Sequence, residues 1–240
     1  KKKLFNQMQI SDEAIILKKK KYRESSLLVT FFSLNHGLNT SLVKGVLKKN
    51  FGIYEIGNRV YIKCNFRLEE QLWNCKFELI KNYSVDLFNK NIKLNALLTI
   101  CSLINLCLPS RLPQVKIYKN TLDLLDNLIS KDWIKKYIFW ELLILSEIGY
   151  GLDLKECTVT GSKKNLFYVS PKSGKAVSYS IAKKYEKKLL KLPNFLINPS
   201  LKPNNETIKS ALDLTGFFLN KYLKKFNNRS LPFYRKSIIV

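Results

Sequence analysis

Between residues 60 and 67 the chain alternates without a break. Val60, Ile62, Cys64 and Phe66 fall on one side, and Tyr61, Lys63, Asn65 and Arg67 on the other. That period of two belongs to a half-buried strand, whose successive side chains leave opposite faces of a pleated backbone. Four more short segments before residue 86 read the same way. Residues 14–17 and 27–32 are apolar runs, and Asn35-His36-Gly37 reads as a hairpin turn into a third strand over residues 38–47. A loop with Gly52, Gly57 and Asn58 precedes the alternating strand, and residues 75–80 form a fifth. Five short strands in about 80 residues suit a small barrel such as an OB-fold.

Past residue 86 the dominant period becomes helical. Residues 94–108 are apolar nearly all round, so that helix should be central. Pro109 and Pro113 bracket a loop, and residues 121–129 form a shorter helix. Asp132 is placed to cap a helix over residues 133–148 that ends at Gly149 and Gly151. Asn205 is placed to cap the last one, 206–226, with Ile208, Leu212, Thr215, Leu219, Tyr222 and Phe226 in one stripe. Two strand-like pieces, 166–170 and 175–179, flank a turn from Pro171 to Gly174. We therefore expect an α+β chain. Residues 8–86 form an OB-fold barrel, and residues 87–240 a mainly helical domain with a small hairpin insertion at 157–180. Met8, the only methionine, is a candidate start, with residues 1–7 a leader or an alternative start.

Charge narrows the partners. Lys plus Arg number 42 against 18 Asp plus Glu, a net of +24, which attracts polyanions at long range. Nucleic acid is the commonest partner of such a domain. An acidic membrane surface is the competitor, but we expect no membrane role. The longest uncharged stretch, 94–110, is short of the about 20 apolar residues a spanning helix needs. No secretory signal is evident either. The five cysteines are odd in number and without Cys-x-x-Cys spacing. Four lie in apolar strand or helix contexts, and we expect these to be small core residues, as suits a reducing cytoplasm.

Catalytic constellations are scarce. The single histidine, His36, falls in the turn, and one histidine without cysteine pairs makes a zinc site very unfavourable. There is no Walker A motif, no G-x-G-x-x-G and no G-x-S-x-G. Glu69-Glu70 and Asp12-Glu13 are the only adjacent acidic pairs, whereas a Mg²⁺ nuclease needs several converging carboxylates. We expect no catalytic residue, no cofactor and no metal.

Binding features are richer. Lys18, Lys19, Lys20, Lys21, Tyr22 and Arg23 follow the first strand, and Lys44, Lys48 and Lys49 the third. Arg59, Tyr61, Lys63 and Arg67 lie along the fourth. Cations for phosphates beside aromatics for bases are what single-strand binding uses. The first 86 residues hold 16 basic and 8 acidic residues, and the remainder 26 and 10. The helical part therefore offers a second surface for DNA or an acidic tail: Lys183, Lys184, Lys187 and Lys188, with Lys209, Lys221, Lys224 and Lys225 on the last helix.

Several segments, in order, resemble the bacterial RecO family of DNA repair proteins. They begin with Lys21-Tyr22-Arg23-Glu24-Ser25-Ser26, residues 27–32 and Asn35-His36-Gly37, followed by Val43-Lys44-Gly45 and residues 67–72. The closest runs from Trp140-Glu141-Leu142-Leu143 through residues 148–154 and Cys157-x-x-Thr160-Gly161 to residues 168–174. The resemblance spans about residues 8–226 and rests on order and spacing. It implies an N-terminal OB-fold and a helical C-terminal domain. It also implies binding of single- and double-stranded DNA, annealing of complementary strands, work with RecR, and contact with the acidic tail of single-stranded DNA-binding protein. RecA is then loaded indirectly, in the bacterial cytoplasm at the nucleoid. Some relatives hold zinc with four cysteines in the insertion. Here only Cys157 remains, with Thr160, Ser178 and Ile181 in the other places, so no zinc is expected. Trp73 replaces a usual Gly, either altering the turn or supplying a stacking surface. An RNA-binding OB protein of translation, a Mg²⁺-dependent nuclease using Glu69 and Glu70, and a pure protein adaptor are the rival readings.

Overall fold

The computed structural model describes residues 8–46, 48–68, 71–183 and 186–238, apart from the side chains of residues 48–50 and 186. The chain divides into two compact units, the first ending at Ile129 and the second beginning at Ser130.

The first unit opens with β1 (Met8–Lys21), β2 (Ser26–Ser33) and β3 (Gly37–Lys44), a 3-10 turn over Lys48–Tyr54, then β4 (Arg59–Phe66) and β5 (Asn74–Lys81). The antiparallel order is β3-β2-β1-β4-β5. A parallel bridge between Ser41 and Trp73 brings β3 to β5. Two bonds reinforce it, Leu42 N to Trp73 O at 3.0 Å and Cys75 N to Ser41 Oγ at 3.1 Å. Closure of the two edges makes the OB-type barrel and removes the unpaired backbone an open sheet would present. Ile16, Val29, Phe31, Val60, Ile62, Cys64 and Phe77 fill its interior.

Strand β1 is far longer than the expected 14–17. Its first half pairs with β4 and its second half with β2. Backbone bonds hold both ends although Met8–Ser11 and Lys18–Lys21 bury little, so hydropathy does not mark them. Lys18, Lys19, Lys20 and Lys21 thus lie on β1 and do not follow it. Strand β3 stops at Lys44, before Gly45 at φ +66°. Residue 47, the expected end, lies outside the described residues. The cysteines are core residues as expected, but two of them are paired. Cys64 and Cys75 face each other across β4 and β5 and form a disulfide, while Cys101, Cys107 and Cys157 are free and buried. A register pairing is invisible in linear spacing, and the cysteines no longer argue for a reducing compartment.

Helices α1 (Tyr83–Asp86), α2 (Asn91–Cys107) and α3 (Val115–Asp126) complete this unit. Ile100, Cys101, Leu103 and Ile104 of α2 are fully buried, and Phe32 of β2 meets Tyr118 of α3 edge-on at 5.6 Å. Helix α3 starts six residues before the expected position because Ile117, Tyr118, Thr121, Leu124 and Leu125 form its buried stripe.

The second unit holds α4 (Trp133–Glu147), β6 (Leu166–Val169), β7 (Ala176–Ser178), α5 (Tyr179–Ala182), β8 (Leu190–Lys191) and α6 (Asn205–Asn227). Strands β6 and β7 are the expected hairpin, and β8 adds a third strand against β6. Asp132 occupies the N-cap position of α4 but its side chain makes no capping bond. Asn204, not Asn205, caps α6, through a reciprocal box with Thr207. The α6 stripe ends on buried Leu219 and Leu223, leaving Phe226 exposed.

Glu141 lies fully buried in α4. Its carboxylate accepts from Arg235 Nε (2.7 Å) and Nη2 (2.9 Å), Tyr137 Oη (2.6 Å) and the Thr215 hydroxyl. A Cβ on residue 216 would sit 2.5 Å from Arg235 Nη1, so Gly216 in the middle of α6 makes room for the guanidinium. The network pins the C-terminal 3-10 turn, Phe233–Ile238, to α4 and α6.

Candidate nucleic-acid interface

Residues directly opposite on paired strands point to the same side of a sheet. The register sets Lys18 opposite Thr30 and Thr30 opposite Thr40; Lys20 opposite Leu28 and Leu28 opposite Leu42; and Ser26 opposite Lys44. Lys18, Lys20 and Lys44 therefore share one outer face of β1, β2 and β3. All three are exposed, and the threonines and leucines between them are half-buried. Thr30 and Thr40 hydroxyls lie 3.1 Å apart on this floor. Tyr22 and Arg23 stand in the turn at its end, Tyr22 exposed and Arg23 stacked over it at 5.5 Å. Arg23 takes φ +57°, a left-handed turn backbone.

The other basic residues are placed differently. Lys19 points off this face, 2.6 Å from Glu55 and 4.7 Å from the Phe51 ring. Lys21 is exposed at the strand end. Arg59 Nε donates to the Glu13 carboxylate at 3.0 Å, and this hydrogen bond raises the guanidinium pKa. Tyr61 and Lys63 are neighbours, the ammonium 5.6 Å from the ring, on the outer face of β4. Lys63 lies opposite Lys76 and 3.3 Å from Glu78. Arg67, exposed, follows at the end of the strand. The expected cluster is thus two patches: Lys18, Lys20 and Lys44 on one face, and Tyr61, Lys63 and Arg67 on another. The side chains of Lys48 and Lys49, and Glu69 and Glu70 altogether, lie outside the described residues. Trp73 is 4% exposed and stacks on Phe66 at 4.6 Å, so it is a barrel side chain and not an open stacking platform.

In the second unit Lys183, Lys187, Lys188, Lys209, Lys224 and Lys225 are exposed, and Lys184 lies outside the described residues. Lys221 donates to the carbonyls of Pro171 (2.8 Å) and Lys172 (3.4 Å), tying α6 to the hairpin turn. Beside Lys225 the rings of Tyr150, Tyr222 and Phe226 cluster at 5.0–6.4 Å.

The hairpin insertion does not suit zinc. Cys157 Sγ accepts from Ser178 N at 3.3 Å, and Ser178 Oγ lies 3.3 Å from Ser180 Oγ. Burial pushes this thiol up, but hydrogen bonds from Ser178 and Thr160 outweigh it and bring it down to about 6. One thiol among hydroxyls is a poor donor set for a metal that takes four thiolate or imidazole ligands. No group of three or more His, Cys, Asp or Glu among the described residues could hold a metal ion. No helix among them is long and apolar enough to cross a membrane.

Two family models cover this architecture. Recombination protein O N terminal matches residues 8–83, and Recombination protein O C terminal matches residues 91–232. The chain belongs to the RecO family. Its relatives include the DNA repair protein RecO of Rickettsia canadensis, 40% identical over 222 residues that cover 92% of each chain. That of Rickettsia africae is 38% identical over 93% of this chain and 94% of its own. That of Rickettsia bellii is 37% identical over 97% and 95%. The RecO models meet between residues 83 and 91, at the change of period, whereas the first compact unit continues through α3 to Ile129.

The residues that linear reading missed are those that hold the RecO fold in shape. Glu141 interrupts the apolar run from Ile138 to Leu145, and Gly216 lies inside a helix that would prefer alanine. Together they were the available signal for a buried charge. The contact between Asp12 and His36 was the other feature missed. Asp12 Oδ2 lies 3.0 Å from His36 Nδ1, a pairing between β1 and the β2–β3 turn that only the fold creates.

Proposed function

We propose that this chain is a non-enzymatic recombination mediator. It binds single- and double-stranded DNA, anneals complementary strands, and helps load RecA onto DNA coated with single-stranded DNA-binding protein. The observation that carries this reading is the exposed Lys18, Lys20 and Lys44 face on a closed five-stranded barrel, in a chain of the RecO family. Ammonium groups on that face neutralise phosphates, and the half-buried threonine and leucine floor admits sugar and base. Residues 8–86 are the DNA-binding part. The lysines of residues 87–240 take a second DNA segment or the acidic tail of single-stranded DNA-binding protein. RecR is the further partner, and the bacterial cytoplasm at the nucleoid the place of work.

The test is annealing of complementary strands coated with single-stranded DNA-binding protein, with and without its acidic tail. Annealing by the full chain, weakened when the tail is removed, supports the reading. No annealing and no DNA affinity in either form refutes it. A preference for RNA over DNA of the same sequence would move the chain to an RNA-binding role. Mg²⁺-dependent cleavage that disappears in Glu69→Ala/Glu70→Ala would make it a nuclease.

A further inference from the structure

At one end of the barrel lies a cavity of about 430 Å³ that belongs to neither lysine patch. Gln9, Asn35, His36, Phe66, Trp73 and Arg111 contribute to its lining. That volume falls in the about 300–1,000 Å³ range of small-ligand sites.

Its wall is aromatic and braced. Phe66 and Trp73 are parallel within 8°, and His36 meets Trp73 edge-on at 5.9 Å. Behind them the Asp12 carboxylate, 2% exposed, accepts four hydrogen bonds: Glu13 N (2.8 Å), Asn35 N (2.8 Å), Asn35 Nδ2 (3.0 Å) and His36 Nδ1 (3.0 Å). Because Asp12 takes the Nδ1 side, His36 presents Nε2 as its other nitrogen. Asn35, with Nδ2 committed, presents its carbonyl oxygen. Arg111 is brought to the cavity by its backbone, whose N–H donates to Leu38 O at 2.9 Å. Its guanidinium lies 3.4 Å from Gln71 O.

The geometry points to a pocket for one base of single-stranded DNA. We infer that the base stacks on the His36 ring, whose side chain is 32% exposed, with the buried Trp73 and Phe66 rings fixing that ring from behind. Gln9 and Asn35 meet its polar edge, and Arg111 holds the neighbouring phosphate outside. The buried Asp12 charge discriminates among occupants. It disfavours an anionic group inside the cavity but tolerates a neutral base. This rests on the DNA-binding reading above and adds a base-contacting site to the phosphate-contacting face.

Affinities of the full chain for a short single-stranded oligonucleotide and for its abasic counterpart, with the same phosphates, separate the two ideas. Stacking of one base against aromatic side chains gives about a 5- to 100-fold preference for the base-containing strand. His36→Ala should bring that preference close to parity while leaving abasic affinity unchanged. Pro113→Trp, at a lining position that takes no part in the Asp12 hydrogen bonds, should narrow the cavity and do the same, and guards against misfolding of the first variant. Lys18→Glu/Lys20→Glu should weaken both strands and keep the preference. An undiminished preference in both pocket variants overturns the pocket, as does equal binding of the two strands by the unmodified chain. Failure to bind either strand overturns the DNA-binding reading itself.

Discussion

Gly37→Ala is the substitution whose effect the coordinates define most closely. Gly37 takes φ +66°, and a Cβ there would lie 2.2 Å from the Leu112 carbonyl oxygen and 2.6 Å from its carbon. Both are backbone atoms, so no rotamer change relieves the clash. The left-handed backbone alone costs about 1–2 kcal/mol for alanine. Moving the 110–112 segment by about 1 Å adds about 1–3 kcal/mol of overpacking and endangers the Arg111 N to Leu38 O bond. The sum is about 2–5 kcal/mol. Gly45 supplies the control: it has the same φ of +66° and nothing within 4 Å of its Cβ position. Gly45→Ala should therefore lose only the backbone part, about 1–2 kcal/mol. Urea unfolding of both variants, followed by circular dichroism and tryptophan fluorescence, isolates the steric contribution as their difference. Equal losses, or a loss below about 1 kcal/mol in Gly37→Ala, would refute the close approach of the two segments.

Three further outcomes follow from other parts of the chain. Removing one partner of the Glu141–Arg235 pair strands a buried charge, so Arg235→Met should lose about 3–5 kcal/mol in urea unfolding. Glu141→Leu combined with Arg235→Met should recover part of that loss. Burial opposes ionisation of Asp126, yet hydrogen bonds from Lys81 and Tyr83 outweigh it and hold the carboxyl below its usual range. That stabilisation is complete above the unfolded carboxylate pKa and fades as pH falls through the lower folded value. Asp126→Asn should lower the urea midpoint near neutral pH, and the difference should shrink below about pH 4. Thiol titration of the unfolded chain should find three reactive cysteines before reduction and all five after it, because Cys64 and Cys75 are joined.

The barrel was legible because its central strands carry their own period. Val60, Ile62, Cys64 and Phe66 alternate, and β4 follows them residue for residue. The ends of β1 were not legible, since Gln9, Ser11, Lys18 and Lys20 are held by backbone pairing and remain wet. The same difference governs the site. Lysine runs announce a basic surface, but only register shows that Lys18, Lys20 and Lys44 share a face while Lys19 turns to Glu55. Trp73 illustrates the limit from the other side: in a polar loop segment it could alter the turn or supply a stacking surface, and barrel closure against Ser41 buries it. A lone polar residue can hint at a buried charge, but the pairings Asp12–His36 and Glu141–Arg235 cannot be read linearly, because the partners are separated by whole elements.

In the function proposed above, the β1–β3 face holds single-stranded DNA through its phosphates. The most direct test is the affinity for a labelled single strand across a series of salt concentrations. Each phosphate contact contributes a slope of about −0.7 in log affinity against log salt. The unmodified chain should bind with a steep negative slope, and Lys18→Glu/Lys20→Glu/Lys44→Glu should weaken binding and flatten the slope by about 2. Affinity and slope unchanged in the triple variant, with the fold intact, would contradict the assignment of this face.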